Sequence, residues 1–320
     1  MDWVDFEVML PKLRIVPRGA VLVKRLLFAI ANYLTIFLQI FFVRADICWV
    51  ANCPDILAIP LAMRRQNYIL EYRSPWSAEV QAEFGKGPLA GLASIIENAA
   101  LQNAFAITLT TSKLSKFVHT FDKPTFIIPN YPTKNFKAQM TADEFRKDNN
   151  VEKNEKIVLF VGKLSRVEGA DMFPSIIEDV LKEVDCIFWI VGDGPLMPLL
   201  KRFEKKFQKR VRLFGWQPHD NIPNFINAAD VCIVPRHPSK HSNLYNEENL
   251  FKLGEYMAFR KPIVACGIAE STQYLLVTEN KMADATIQAL RGKTPVSTPK
   301  SWEEDSEQML FKLFNWLKSS

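Results

Sequence analysis

The chain alternates between short runs rich in β-branched and aromatic residues and longer stretches in which apolar residues recur every three or four positions. The sharpest case is residues 156–195. A run over 157–161 breaks at Gly162, and a second over 186–191 breaks into Gly192-Asp193-Gly194-Pro195. Between them Met172, Ile176, Ile177, Val180 and Leu181 repeat at helical spacing. This predicts a β-α-β unit with a glycine turn at the carboxyl end of each strand, where open α/β sheets place ligands. Glycine there lets backbone approach a ligand, and the helix that follows offers unpaired amides and a positive dipole end to a phosphate.

The same pattern extends in both directions. Strands are predicted over 4–9, 46–50, 69–72, 106–111 and 125–129, with helices over 57–65 and 89–102. Residues 134–156 are polar and charge-rich and read as a linker. Beyond them come strands over 211–214, 231–235 and 262–265, helices over 221–229 and 250–259, and a polar loop over 236–248. A closing amphipathic helix over 301–317 sets Trp302, Leu310, Leu313, Phe314 and Leu317 largely to one side. Alternating β and α elements predict an α/β protein with parallel sheets covered by helices.

One stretch departs from the alternation. After Lys24-Arg25, residues 26–43 carry no charge, a length at the lower limit for a membrane span. Asn32, Thr35 and Gln39 form a narrow polar stripe on this otherwise apolar helix. A helix packed between a sheet and its neighbours explains the stripe most simply. An interfacial helix giving peripheral membrane contact through residues 20–43 is the alternative.

Composition narrows the function. The 320 residues, 48% hydrophobic and 23% charged, suffice for two domains with separate cores. A net charge of +5 without dense Lys/Arg blocks excludes a nucleic-acid arm and suits an anionic small ligand or an anionic membrane surface. Cys48, Cys53, Cys186, Cys232 and Cys266 are scattered without metal spacing, and so are His119, His219, His237 and His241. The cysteines read as reduced thiols of a cytosolic protein, and the acidic first residues lack the pattern of a cleavable signal peptide.

Four segments, in order, carry a resemblance: FVGKLSRVEG, IVGDGP, VRLFGWQPHDNIPNFINAADVCIVP and NLFKLGEYMAFRKPIVA. Together they resemble the nucleotide-binding domain of retaining glycosyltransferases with the GT-B fold, the group 1 family with glycogen synthase-like and mannosyltransferase-like members. RADICWVANCPD, YRSPW, IIPNYP and the closing SWEE extend the likeness over nearly the whole chain. The resemblance implies two Rossmann-like domains facing a cleft: an acceptor-side domain over 1–136, a linker over 137–155 and a nucleotide-sugar domain over 156–301. The helix over 302–320 would pack back onto the first domain. The first domain reads as truncated, beginning near Val4 without the family's first strand and glycine-rich loop.

The resemblance also assigns residues. Lys163 would bind the donor diphosphate, and its ammonium could neutralise the departing phosphates. Glu255 would accept the two ribose hydroxyls and Glu247 would meet the donor sugar, making Lys163 and Glu247 the catalytic pair. Gly162, Arg166, Gly192, Gly194 and Leu250 complete the donor side, and Asn52, Arg73 and Trp76 the acceptor side. His219 matches a structural loop position. Lys252, three residues before Glu255, would share its helix face and can pair with it. Two departures stand out. Glu168 occupies the place of the motif's second basic residue, with Arg166 nearby as a substitute, and Glu248 and Leu250 replace glycines after Glu247.

The function implied is transfer of a hexose from a UDP- or GDP-sugar, with retained anomeric configuration, to a glycan or lipid-linked acceptor. No metal or further cofactor is expected, since no Asp-x-Asp signature is present. The expected setting is cytoplasmic, at the inner face of the membrane, as a homo- or hetero-oligomer. The alternative is a non-catalytic relative serving as a binding or partner subunit.

Overall fold

Two all-parallel sheets carry the chain, which divides between Ile127 and Ile128 into two units. The computed structural model describes residues 22–52, 54–294 and 296–319. The strand expected over 4–9 and Cys53 lie outside them.

The first unit opens with helix α1 (Leu22–Phe42), followed by β1 (Cys48–Ala51), α2 (Ile59–Met63), β2 (Tyr68–Tyr72), α3 (Trp76–Phe84) and α4 (Pro88–Asn103). It continues through β3 (Ala106–Leu109), α5 (Ser115–Val118) and β4 (Thr125–Ile127). Its strands lie side by side in chain order, β1-β2-β3-β4. Helix α3 was not foreseen, because Trp76 and Val80 are too sparse an apolar pattern to announce it.

The second unit begins with α6 (Ala142–Asp148), then β5 (Lys156–Val161), α7 (Phe173–Glu183), β6 (Cys186–Val191), α8 (Met197–Phe207), β7 (Val211–Gly215) and α9 (Ile222–Ala228). It ends with β8 (Val231–Pro235), α10 (Phe251–Ala258), β9 (Ile263–Cys266), β10 (Leu275–Leu276), α11 (Met282–Leu290), a π-helical turn (Trp302–Ser306) and α12 (Glu307–Ser319). The strand order is β10-β9-β8-β5-β6-β7. From β5 the chain builds outward through β6 and β7, then returns to lay β8 on the other side of β5. That reversal falls between β5 and β8, and the carboxyl ends of the strands at such a point are where doubly wound sheets bind ligands.

Strands β5, β6 and β8 are apolar nearly throughout because both faces of the sheet are covered. Ile157, Leu159, Trp189 and Val234 face one core with Phe225, Leu253 and Tyr256 of α9 and α10. Val158, Phe160, Phe188 and Ile233 face the other with Phe173, Ile177 and Met282 of α7 and α11.

The stretch expected to be a linker, 137–155, instead contributes to this core. Helix α6 starts at a capping box between Thr141 and Glu144, and its Phe145 packs edge-on against Trp189 and Phe225 at 6.0 and 4.9 Å. Arg146 then ties it to Asp230 at 2.6 Å. A helix with one large apolar residue buries too little of its own length to show a periodic stripe. Most other helices start without a side-chain cap; Pro88, Pro174, Pro198 and Pro223 stand in their first turns, where no amide is needed.

Candidate functional site

The two glycine turns meet at the carboxyl edge of β5 and β6. Gly162 donates to the Val191 carbonyl at 3.0 Å and Leu164 to the Asp193 carbonyl at 2.9 Å. The space a side chain would need at Gly194 is taken by the Leu164 carbonyl, 2.5 Å from where a Cβ would stand. Gly192 is closed in the same way by the carbonyl of Gly162. These glycines let two loops interlock, so their smallness is already used within the protein. At Gly162 the neighbour is a cation: a Cβ would stand 2.6 Å from Lys252 Nζ.

Helix α10 brings that lysine in. The Tyr256 hydroxyl accepts a 2.8 Å hydrogen bond from the Val161 amide, fixing the helix to the end of β5. One helical turn earlier, Lys252 lies over the Phe160 ring at 4.5 Å and donates to Glu168 Oε2 at 2.5 Å. Glu168 Oε1 accepts from Arg236 Nη1, and Arg236 lies 4.5 Å over the Tyr245 ring. Glu168 is therefore gripped by two cations. Burial pushes its pKa up, but Lys252 and Arg236 outweigh this and hold it below the ordinary carboxylate range. Burial pulls the Lys252 pKa down despite the opposing pull of Glu168.

Lys252 therefore pairs with Glu168 and not with Glu255, although both acids are within its reach. Glu255 is buried and bonded to His219 Nε2 at 2.7 Å, while the His219 ring is 68% exposed and lies 5.2 Å from the Phe136 ring. Glu247, in the loop between β8 and α10, accepts from Ser271 Oγ at 2.9 Å with Oε1. Its Oε2 is buried with no hydrogen-bond partner, an acceptor left over for a hydroxyl. Leu250 is the residue before α10 and packs against the core.

Lys163 is exposed, and its side chain makes no ion pair or hydrogen bond among the described residues. Arg166 is 84% exposed and 3.4 Å from Asp171, away from the grip on Glu168. The structure thus brings Gly162, Gly192, Gly194, Lys252 and Glu168 into one contiguous patch, to which sequence reasoning had not assigned Arg236. Lys252 and Arg236 were hidden because their partner Glu168 is 84 and 68 residues away.

The residues expected on the acceptor side lie at the carboxyl edge of the first sheet. Asn52 is buried and fully engaged: its Nδ2 donates to the Ser74 carbonyl at 2.8 Å and its Oδ1 accepts from the Arg73 amide at 2.7 Å. The Arg73 side chain bonds Glu71 at 2.7 Å and Trp76 opens α3. Beneath them Asp55 and Glu97 are both buried. Glu97 accepts from the Tyr72 hydroxyl at 2.5 Å and the Ser77 amide at 3.0 Å. Burial, reinforced by the Glu97 charge, pushes the Asp55 carboxyl up to about 7.

Units of α/β type built on parallel sheets are the architecture of GT-B glycosyltransferases. Residues 155–292, all within the second unit, match the family model of Glycosyl transferases group 1. Alpha-D-kanosaminyltransferase of Streptomyces kanamyceticus is 30% identical over 112 residues, 34% of this chain and 27% of the relative. The chain matches from about a quarter to two fifths of the length of such curated relatives, 27% to 38%. Among solved structures, sucrose-phosphate synthase from Thermosynechococcus elongatus superposes with a TM-score of 0.69 at 17% identity, covering 97% of this chain and 83% of that one. HepE of Anabaena, solved in complex with UDP, gives 0.62 at 16% identity over 91% and 82%.

Proposed function

We propose that the chain transfers a hexose from a nucleoside-diphosphate sugar to a glycan or lipid-linked acceptor with retention of configuration. The observation that carries this reading is Glu247. It stands in the loop beside α10 with one carboxylate oxygen on Ser271 and the other buried and unpartnered, eight positions before the buried Glu255. A buried acceptor without a donor is costly unless a ligand supplies one, and a sugar hydroxyl does so. Glu255, steadied by His219, would take the ribose hydroxyls, and Lys163 would neutralise the departing diphosphate. The relatives and neighbours, among them one solved with UDP, support a nucleotide-sugar donor. The reading uses no metal ion.

Incubation of the purified protein with a panel of UDP- and GDP-hexoses tests it. Release of the nucleoside diphosphate, with proton spectra of the new glycoside showing the donor's anomeric configuration, is expected. Inversion would overturn the retaining assignment. The acid at 168 favours a second reading, a non-catalytic partner subunit; nucleotide binding without any release from any sugar nucleotide would select it.

The acceptor side falls to the first unit, where Arg73 and Trp76 line the edge of its sheet and Asn52 holds their loop in place. For α1 we propose peripheral contact with an anionic membrane, in keeping with a cytoplasmic enzyme at its inner face. Leu34, Leu38 and Phe42 follow one another at helical spacing and are 59%, 48% and 73% exposed. Among the described residues no helix is long and apolar enough to cross a membrane. Sedimentation with anionic liposomes at low salt checks this contact, and recovery of all the protein in the supernatant would refute it.

A further inference from the structure

We propose that Lys252, together with Arg236, is a diphosphate-binding cation of the donor site, and that Glu168 is the residue that positions both. This rests on the donor-site reading and gives it a charge set absent from the motif itself.

Gly162 directly follows β5 and Arg236 directly follows β8, so the two residues flank the point where the strand order reverses. Lys252 bridges them from α10, its ammonium 2.6 Å from where a Cβ on Gly162 would stand. An anion settling on this turn meets the ammonium at contact distance.

Glu168 carries one negative charge against two cations within ion-pair reach, all with side chains no more than 17% exposed. Glu255 also acts on Lys252 through its charge, but its carboxylate oxygen is bonded to His219 rather than to the lysine. A buried positive surplus is unfavourable alone and is relieved by a second anion. A diphosphate supplies one and accepts several hydrogen bonds.

Lys252 has one N–H on Glu168 and lies over the Phe160 ring, and Arg236 is sandwiched between Glu168 and the Tyr245 ring. The Arg236 carbonyl accepts from Cys266 Sγ at 3.2 Å and closes the space beside Gly267, pinning its backbone. Both cations are ordered before a ligand arrives, which lowers the entropy lost on binding. The acid in the place of the motif's second basic residue is the scaffold of the two cations.

Calorimetric titration of the full chain with uridine, guanosine, UDP and GDP tests the proposal in wild type, Lys252→Met and Lys252→Arg. Wild type is expected to bind one diphosphate more tightly than its nucleoside. Lys252→Met should weaken that diphosphate at least about tenfold and leave the nucleoside within about twofold, the mark of one lost charged hydrogen bond. Lys252→Arg, which keeps the charge and the pair with Glu168, should stay within a few-fold of wild type. Two results would overturn the proposal: unchanged diphosphate affinity in Lys252→Met, or equal loss of nucleoside and diphosphate with no rescue by arginine, which marks a purely structural lysine. Wild type binding none of the four ligands would overturn the donor-site reading itself, and shows before any variant is made.

Discussion

The two sheets end in opposite ways. At the carboxyl edge of the first, Asp55 and Glu97 are buried with no lysine or arginine among the described residues paired to either, and their surroundings are hydroxyls, amides and Asn52. At the corresponding edge of the second, one acid, Glu168, is held by two cations. The first edge lowers its charge by retaining a proton, whereas the second cannot discard its positive surplus so easily, since arginine does not deprotonate. A cluster that neutralises itself is finished as structure; one that keeps a surplus is suited to a charged ligand. The contrast predicts which edge tolerates losing an acid.

The largest effect is expected at Glu168. Glu168→Ala leaves two buried cations facing each other, and breaking a buried pair in this way costs about 3–5 kcal/mol. For a unit of this size the melting temperature should fall by roughly 10 °C in a thermal melt. A change within experimental error would mean that the three side chains are well hydrated, and the contrast between the edges would lapse.

At the first edge the same kind of change should have the opposite sign. In the unfolded chain Asp55 ionises near 3.8, whereas in the fold it holds its proton up to about 7. The folded state therefore binds more protons over that interval, and stability falls as pH rises from about 4 to about 7. Each pKa unit corresponds to about 1.4 kcal/mol, so the loss reaches a few kcal/mol by pH 8. Asp55→Asn removes the proton equilibrium and can keep the hydrogen bond from Asn52. It should melt higher than wild type at pH 8 and show a flatter dependence between pH 5 and 8. A variant less stable than wild type at pH 8 would show that the ionised carboxylate is welcome there.

How much of this was visible beforehand differs between the edges. The frame was legible wherever apolar residues ran together: β5, β6, β8 and β9 are buried on both faces and read as unbroken runs, and β8 matches its expected bounds of 231–235. Lys163, Glu247 and Glu255 could be singled out because each lies inside a motif. Helices α3, α8 and α11 were missed. In α8 only Leu200 is fully buried among many lysines, so charge masked the pattern. Helix α6 hid inside a polar stretch, though Thr141 and Glu144 have the spacing of a capping box. What no local reading could supply was pairing across the sheet. Nothing near Glu168 announces Arg236 or Lys252, because the return of the chain from β7 to β8 creates that neighbourhood. The pair Lys252–Glu255, natural on a helix three residues apart, lost to a more buried partner from another loop.

The smallest expected effect sharpens the comparison by showing that not every ion cluster at the second edge is held in surplus. His237, next to Arg236, lies between two acids: Nε2 meets Asp171 Oδ1 at 3.0 Å and Nδ1 meets Glu279 Oε1. Burial pulls its pKa down, but the hydrogen bonds to Asp171 and Glu279 outweigh this and leave it raised above 6.5. The stabilisation is fully present below pH 6.5 and is lost as pH rises through the higher folded value. The side chain is 38% exposed, so solvent and salt screen the pair, and the contribution should stay below about 1 kcal/mol. His237→Gln should thus melt slightly lower than wild type at pH 5.5 and equal to it at pH 8.5, with the difference shrinking in high salt. Because this cluster balances one imidazolium against two carboxylates, its loss should leave diphosphate affinity unchanged, unlike that of Lys252. A weakened diphosphate in His237→Gln would mean that the positive surplus extends past Arg236, and the donor edge would have to be redrawn to include it.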